Sequence, residues 1–153
     1  MNRERWMEIA RGDDLRFFWR IFRRREQSRA LRGFWSLWMC LSARRHGGYI
    51  GPGAVIEGIP SMPHGLHGVY ISRFARIGAS CRIYQNVTVG EADGKAPVIG
   101  SGCLLGAGAV LIGPIRVGDG AKIGAGAVVV RDVPAGCTVV AQPSRILPPG
   151  PHG

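Results

Sequence analysis

The run Ile99-Gly100-Ser101-Gly102-Cys103-Leu104-Leu105-Gly106-Ala107-Gly108-Ala109-Val110-Leu111, continued through Val117, Ile123 and Val129, decides the fold. An aliphatic residue returns at every sixth position. Working outward, the same register resumes upstream at Val89, Ile83, Ile77 and Ile71, which makes ten aligned units with one interruption. Glycine follows the aliphatic residue at 78, 90, 100, 106, 118 and 124. Four positions after it stands a small or β-branched residue: Ala75, Cys81, Val87, Cys103, Ala109, Ile115, Ala121, Ala127 and Val133. A fixed short period sustained over this length marks a solenoid.

Strand alternation has a period of two, so a period of six requires the chain to turn at regular intervals. The aliphatic residue fills the interior, and the small residue sits where the wall bends. Glycine after the aliphatic position reads as the permissive backbone of a tight turn. Three units make an eighteen-residue triangular coil. Coils stacked about 4.8 Å apart complete a core that no single repeat could bury. Residues 50–140 therefore predict four or five coils of parallel strand, with Ile77, Ile83, Leu105, Leu111, Val117 and Ile123 pointing inward.

Two irregularities stand out against this frame. Val89 and Ile99 are ten residues apart instead of six, which pushes Glu91-Ala92-Asp93-Gly94-Lys95 out as a loop. Ile56 and Ile71 bracket a second irregular stretch, Pro60-Ser61-Met62-Pro63-His64-Gly65-Leu66-His67-Gly68. Irregular loops on a rigid scaffold are where chemistry is usually placed.

Upstream of His46-Gly47-Gly48 the character of the sequence changes. All four Trp and four of the five Phe lie there, among twelve arginines and only five acids. Phe18, Ile21 and Phe22 share one helical face, and Leu31, Phe34, Trp35, Trp38 and Leu41 share another. Two amphipathic helices are predicted, the first capped by Asp13 or Asp14, with a break near Gln27-Ser28 or Gly33. Their apolar faces are read as packing on the domain or on a neighbour in an oligomer. The second reading is a helix lying on a membrane surface, arginine on one side and aromatics on the other. Nucleic-acid binding is not expected, because the aromatics sit at core spacing and form no stacking platform. The longest apolar run, Phe34 to Leu41, is far too short to span a bilayer. The expected organisation is a helical segment over 1–46, a repeat domain over 47–147 and a tail over 148–153.

Over the 153 residues, 24 are Gly, but no Gly-X-Y period is present, which excludes collagen. The balance of 20 basic to 10 acidic residues suits a polyanionic partner, a membrane surface or a phosphate-rich cofactor. Cys40, Cys81, Cys103 and Cys137 show no CxxC spacing and no signal peptide precedes them. A reducing cytoplasm without structural disulfides is the expectation.

The stretch from Ile50 to Leu147 resembles the catalytic half of bacterial serine O-acetyltransferases and of related capsular-polysaccharide acetyltransferases. The matching motifs are Pro63-His64-Gly65-Leu66-His67-Gly68-Val69-Tyr70-Ile71-Ser72 and Gln85-Asn86-Val87-Thr88-Val89-Gly90, with Ile123-Gly124-Ala125-Gly126-Ala127-Val128-Val129 and the closing Gln142-Pro143-Ser144-Arg145-Ile146. The resemblance implies a left-handed parallel β-helix, although ordinary parallel crossovers are right-handed. It also implies a homotrimer with active sites between subunits at the protruding loop, and acetyl-CoA as co-substrate.

The family's catalytic base falls on His64. An imidazole can take the proton of a hydroxyl as its oxygen attacks the thioester carbonyl. By the same resemblance the pantetheine arm of coenzyme A lies against backbone amides at Ala107 and Ala125, and Arg131 and Arg145 match positions that hold nucleotide phosphates. His67 receives no role. A zinc site on this fold needs three well-placed histidines, and only His46 and His152 remain, so no metal is expected.

Three positions depart from the family pattern. Tyr49 stands where an aspartate orients the base, Pro63 where an aspartate precedes the histidine, and Ala96 where a second histidine lies before the loop-closing proline. Glu57 is a candidate substitute orienter. The expected activity is acetyl transfer to a small-molecule hydroxyl by direct attack. Serine is one acceptor, and a sugar hydroxyl in surface-polysaccharide assembly is the alternative. A non-enzymatic β-helix scaffold is the competing class.

Overall fold

A computed structural model describes residues 15–28 and 30–142. Asp13, Asp14, Pro143, Ser144, Arg145, Ile146 and His152 lie outside the described residues.

The repeats wind as the expected left-handed parallel β-helix. Its first sheet holds β1 (Tyr49–Ile50), β3 (Tyr70–Ile71), β6 (Thr88–Gly90), β9 (Val110–Ile112) and β12 (Val128–Val129). The second holds β2 (Val55–Ile56), β4 (Arg76–Ile77), β7 (Val98–Ile99) and β10 (Arg116–Val117). The third holds β5 (Arg82–Ile83), β8 (Leu104–Leu105), β11 (Lys122–Ile123) and β13 (Thr138–Val139). Every pairing is parallel and joins one coil to the next.

Register measures the coils. Tyr70 pairs with Thr88, and Val110 with Val128, each step a regular eighteen residues. Tyr49 pairs with Tyr70 and Thr88 with Val110, steps of twenty-one and twenty-two. The two long coils are those that carry the irregular loops. All ten aliphatic positions are buried, as are the nine small or β-branched positions four residues later.

The glycines that follow the aliphatic residues act differently from the expectation. None of those six has a positive φ. What they share is a close approach to the neighbouring coil: a Cβ on Gly118 would lie 2.4 Å from the backbone N of Ala135, and one on Gly106 2.6 Å from that of Ala125. The turns are made instead three residues before the aliphatic position, where Gly102, Gly108, Gly120 and Gly126 have φ near +68°, with Ser80 and Asn86 in the same conformation. Asparagine tolerates the left-handed region better than most residues, which suits it to that place.

The N-terminal segment forms α1 (Arg16–Gln27) and α2 (Arg32–Arg45). The break falls between them, and Gly33 lies inside α2. Phe18, Ile21 and Phe22 of α1 are buried together with Met39 and Ala43 of α2, in one core continuous with the coils. The guanidinium of Arg25 donates to Ser36 Oγ at 3.3 Å and ties the two helices. The second predicted stripe is not covered within the chain. Leu31, Phe34, Trp38 and Leu41 are each about half exposed, and only Trp35 packs against the core. No helix among the described residues is long and apolar enough to cross a membrane.

Candidate active site

Loop 62–69 occupies the corner where the third sheet turns into the first. Leu66 is wholly buried and anchors the loop, leaving His64 exposed beside it. Gly65 N–H donates to the Met62 carbonyl at 3.1 Å and Val69 N–H to the Leu66 carbonyl at 2.9 Å, so the loop is a succession of tight turns. Gly65 and Gly68 have φ of 62° and 66°. Gly68 is doubly constrained, since a Cβ there would strike the Asn86 side chain. The histidine motif and the Gln85–Gly90 motif therefore interlock across one coil.

The same corner continues down the helix. Asn86 N–H donates to the His67 carbonyl, Gly108 N–H to that of Gln85, and Gly126 N–H to that of Ala107. Loop 62–69, Tyr84-Gln85-Asn86, Ala107 and Ala125 thus form one stacked edge. The backbone N–H groups of Ala107 and Ala125 have no acceptor among the described residues. Gln85 Oε1 is buried on this edge, also without a partner. A buried oxygen of this kind costs free energy unless something satisfies it, whereas the amides of half-buried Ala107 and exposed Ala125 stand open at the surface. Gln85 opens one of the matching motifs but is given no role there, and nothing in a period of six distinguishes its buried oxygen from a solvated one.

The Tyr84 ring lies beside His64, with centroids 6.0 Å apart and planes tilted by 44°. Glu57 lies at the corner between the second and third sheets and makes no hydrogen bond or ion pair to His64 among the described residues. Within a single chain it therefore does not reach the base it is expected to orient. Pro63, directly before His64, offers neither charge nor an N–H.

The protruding loop leaves from the corner between the first and second sheets. Ala92 and Lys95 exchange two backbone hydrogen bonds of 2.9 and 3.0 Å around Asp93 and Gly94, whose φ values of 51° and 71° fit a type I′ hairpin turn. Glu91 accepts a hydrogen bond from the buried Ser72 hydroxyl, whose oxygen in turn accepts the Phe74 N–H at 3.2 Å. The loop is therefore fastened at its base. Ala96 and Pro97 are buried where it rejoins the coil.

Tyr49 stacks on Tyr70, with centroids 5.0 Å apart. Its hydroxyl is pushed above the usual tyrosine range, chiefly by burial and then by the proximity of Cys40, Tyr70 and Glu91, with Arg73 opposing. Tyr49 is thus a neutral hydroxyl and supplies no carboxylate charge. Arg131 is exposed at the loop corner, one sheet away from Ala107 and Ala125, so a single chain does not gather all these predicted residues. Burial also raises the thiols of Cys81 and Cys103, which point at the carbonyls of Gly100 and Gly118, each 3.2 Å away. Neither is a thiolate nucleophile.

Residues 96–131 match the bacterial transferase hexapeptide model of six repeats. The chain is 40% identical over 102 residues to the serine acetyltransferase of Synechococcus elongatus, covering 64% of this chain and 41% of that protein. It is also 40% identical over 111 residues to that of Mycobacterium tuberculosis, covering 68% and 48%. Among solved structures, the Neisseria gonorrhoeae serine acetyltransferase in complex with serine aligns at 38% identity and a TM-score of 0.62, over 69% of this chain and 44% of that one. Soybean serine acetyltransferase complexed with serine aligns at 32% and 0.65, over 95% and 58%. The chain spans less than half the length of these curated relatives.

Proposed function

Starting from a hexapeptide-repeat transferase related in sequence to the serine acetyltransferases, we propose that this chain transfers acetyl from acetyl-CoA to a hydroxyl acceptor. His64 takes the hydroxyl proton as the oxygen attacks the thioester carbonyl. The C–O bond forms, the C–S bond breaks, and the proton passes to the departing coenzyme A thiolate. No acyl-enzyme intervenes. The observation that carries this reading is the edge on which the His64 loop stands above the unpaired amides of Ala107 and Ala125.

Those amides are suited to the carbonyls of a pantetheine arm, and the small side chains beside them let it approach. Arg131, and Arg145 beyond the described residues, are assigned to the nucleotide phosphates. Arg131 lies one sheet from the amide edge, so a homotrimer that brings one subunit's loop corner against another's histidine corner is part of the proposal. Its support is the outer face of the first sheet, where Tyr70, Thr88, Val110 and Val128 carry no charge. The second and third sheets instead display Arg76, Arg116, Arg82 and Lys122. Residues 47–147 are taken as the catalytic unit, with 1–46 appended to it. A co-substrate such as acetyl-CoA and two buried thiols fit a cytoplasmic setting.

Serine is the acceptor favoured by the relatives, two of which are solved with serine bound. A sugar hydroxyl is favoured by a different observation: the neutral Tyr49 and Pro63 provide no carboxylate to receive an amino group. Release of free thiol from acetyl-CoA, measured over serine, homoserine and nucleotide-linked sugars, separates the two. Serine-dependent release supports the first acceptor and sugar-dependent release the second. No release with any hydroxyl compound would return the chain to the scaffold class.

A further inference from the structure

The helical hairpin has no part in the chemistry proposed above, and its outer surface is unusual for a chain in water. Phe34, Leu37, Trp38 and Leu41 follow one another at helical spacing along α2, with exposures of 53, 59, 45 and 50%. Phe17 of α1, 58% exposed, lines a cleft of about 330 Å³ with Phe34 and Trp38. Among the described residues nothing covers this stripe. A continuous apolar patch of this kind marks a docking surface.

Charge says what docks there. α2 contains no acidic residue and α1 only Glu26. Arg20, Arg23 and Arg24 line a groove of about 650 Å³ whose other wall is Ile59, Pro60 and Met62. Arg20 and Arg24 also line the aromatic cleft, and the Arg24 guanidinium lies 5.6 Å from the Trp35 ring centre. The cations therefore stand on the border between the groove and the apolar stripe. A band of arginine beside a band of Phe, Trp and Leu matches the boundary between anionic headgroups and acyl chains. A second copy of the same face would bring arginine against arginine, which opposes self-association there.

We propose that the α1–α2 hairpin docks on an anionic phospholipid surface, its aromatic stripe entering the acyl boundary and Arg20, Arg23 and Arg24 contacting headgroup phosphates. The contact is peripheral, since no described helix is long enough to cross. It is independent of the acetyl-transfer reading.

Flotation of the full chain with vesicles tests it. The chain should float with mixed phosphatidylglycerol and phosphatidylcholine, stay behind with phosphatidylcholine alone, and be released by added salt. Arg20→Gln with Arg23→Gln should lower partitioning roughly thirtyfold, given the contribution of each cation near such a surface. Phe34→Ser with Leu37→Ser and Leu41→Ser should lower it about tenfold or more. Both variants should keep the wild-type thermal transition and particle mass in solution. Absence of the wild type from anionic vesicles, or equal binding to neutral ones, would overturn the proposal. So would a fall in particle mass in the serine variant, which would assign the stripe to another copy of the chain.

Discussion

Leu105 and Leu37 are the same side chain in two regions of this molecule, and they meet opposite fates. Leu105 is wholly buried inside a coil, whereas Leu37 is 59% exposed on α2. In the β-helix each coil closes on itself, so the sixth-position residue faces an interior walled by the chain's own backbone on three sides. Its burial follows from the repeat and from the coils stacked on either side of it. A helix closes nothing. Its inner stripe, with Phe18, Phe22 and Met39, is buried because the coils lie beneath it. The fate of its outer stripe is decided by whatever lies beyond the chain.

The sharpest way to break this comparison is to truncate both leucines. Leu105→Ala should lower the unfolding free energy by about 2–5 kcal/mol, the cost of a cavity in a closed core. Leu37→Ala should change it by no more than about 0.5 kcal/mol. Chemical denaturation measures both. Similar losses at the two sites would mean that the outer face of α2 is packed after all.

The two kinds of glycine offer a second test. Gly118 needs to lack a Cβ, because the next coil's backbone lies 2.4 Å from where it would be, while Gly120 needs its φ of +67° and faces open space. Gly118→Ala should cost about 1–3 kcal/mol through overpacking. Gly120→Ala should cost about 1–2 kcal/mol through backbone strain. Asparagine discriminates between them. Gly120→Asn should recover much of the loss, whereas Gly118→Asn should be worse than Gly118→Ala. Equal behaviour at both positions would remove the distinction between turn glycines and packing glycines.

A smaller effect is expected at the loop corner. Arg131→Ala should raise the apparent KM for acetyl-CoA about tenfold, the loss of one charge-assisted phosphate contact. Turnover should change less, because a contact far from the thioester contributes uniform binding. Stability should not move, since Arg131 is exposed. A variant with unchanged KM and lowered kcat would place Arg131 with the reacting groups instead.

The interior ladder, the small residues four positions on and both irregular loops were legible because a solenoid writes its core in local sequence. The role of the glycine after each aliphatic residue was not legible. It depends on the coil above, which lies eighteen to twenty-two residues away at a register set by the two insertions. Gly68 against Asn86, Tyr84 beside His64 and the orphaned Gln85 oxygen are hidden for the same reason. The first two are contacts between coils and the third is a buried oxygen between them, and a period of six gives no weight to one residue outside the ladder over another. The exposed stripe of α2 was legible as a face but not as to what covers it, because helical spacing identifies a face and not its partner.

The central claim is that acetyl transfer runs through His64, and the most direct test is the turnover of His64→Ala with the best acceptor from the thiol-release panel. Loss of a general base costs about 10²–10⁴-fold in rate, so the variant should fall by that amount. Its affinity for acetyl-CoA should be nearly unchanged, because the imidazole addresses the acceptor hydroxyl. His67→Ala, three residues along the same loop, should lose much less. An active His64→Ala beside an inactive His67→Ala would contradict the assignment of the base, and full activity in both would take the chemistry out of this loop altogether.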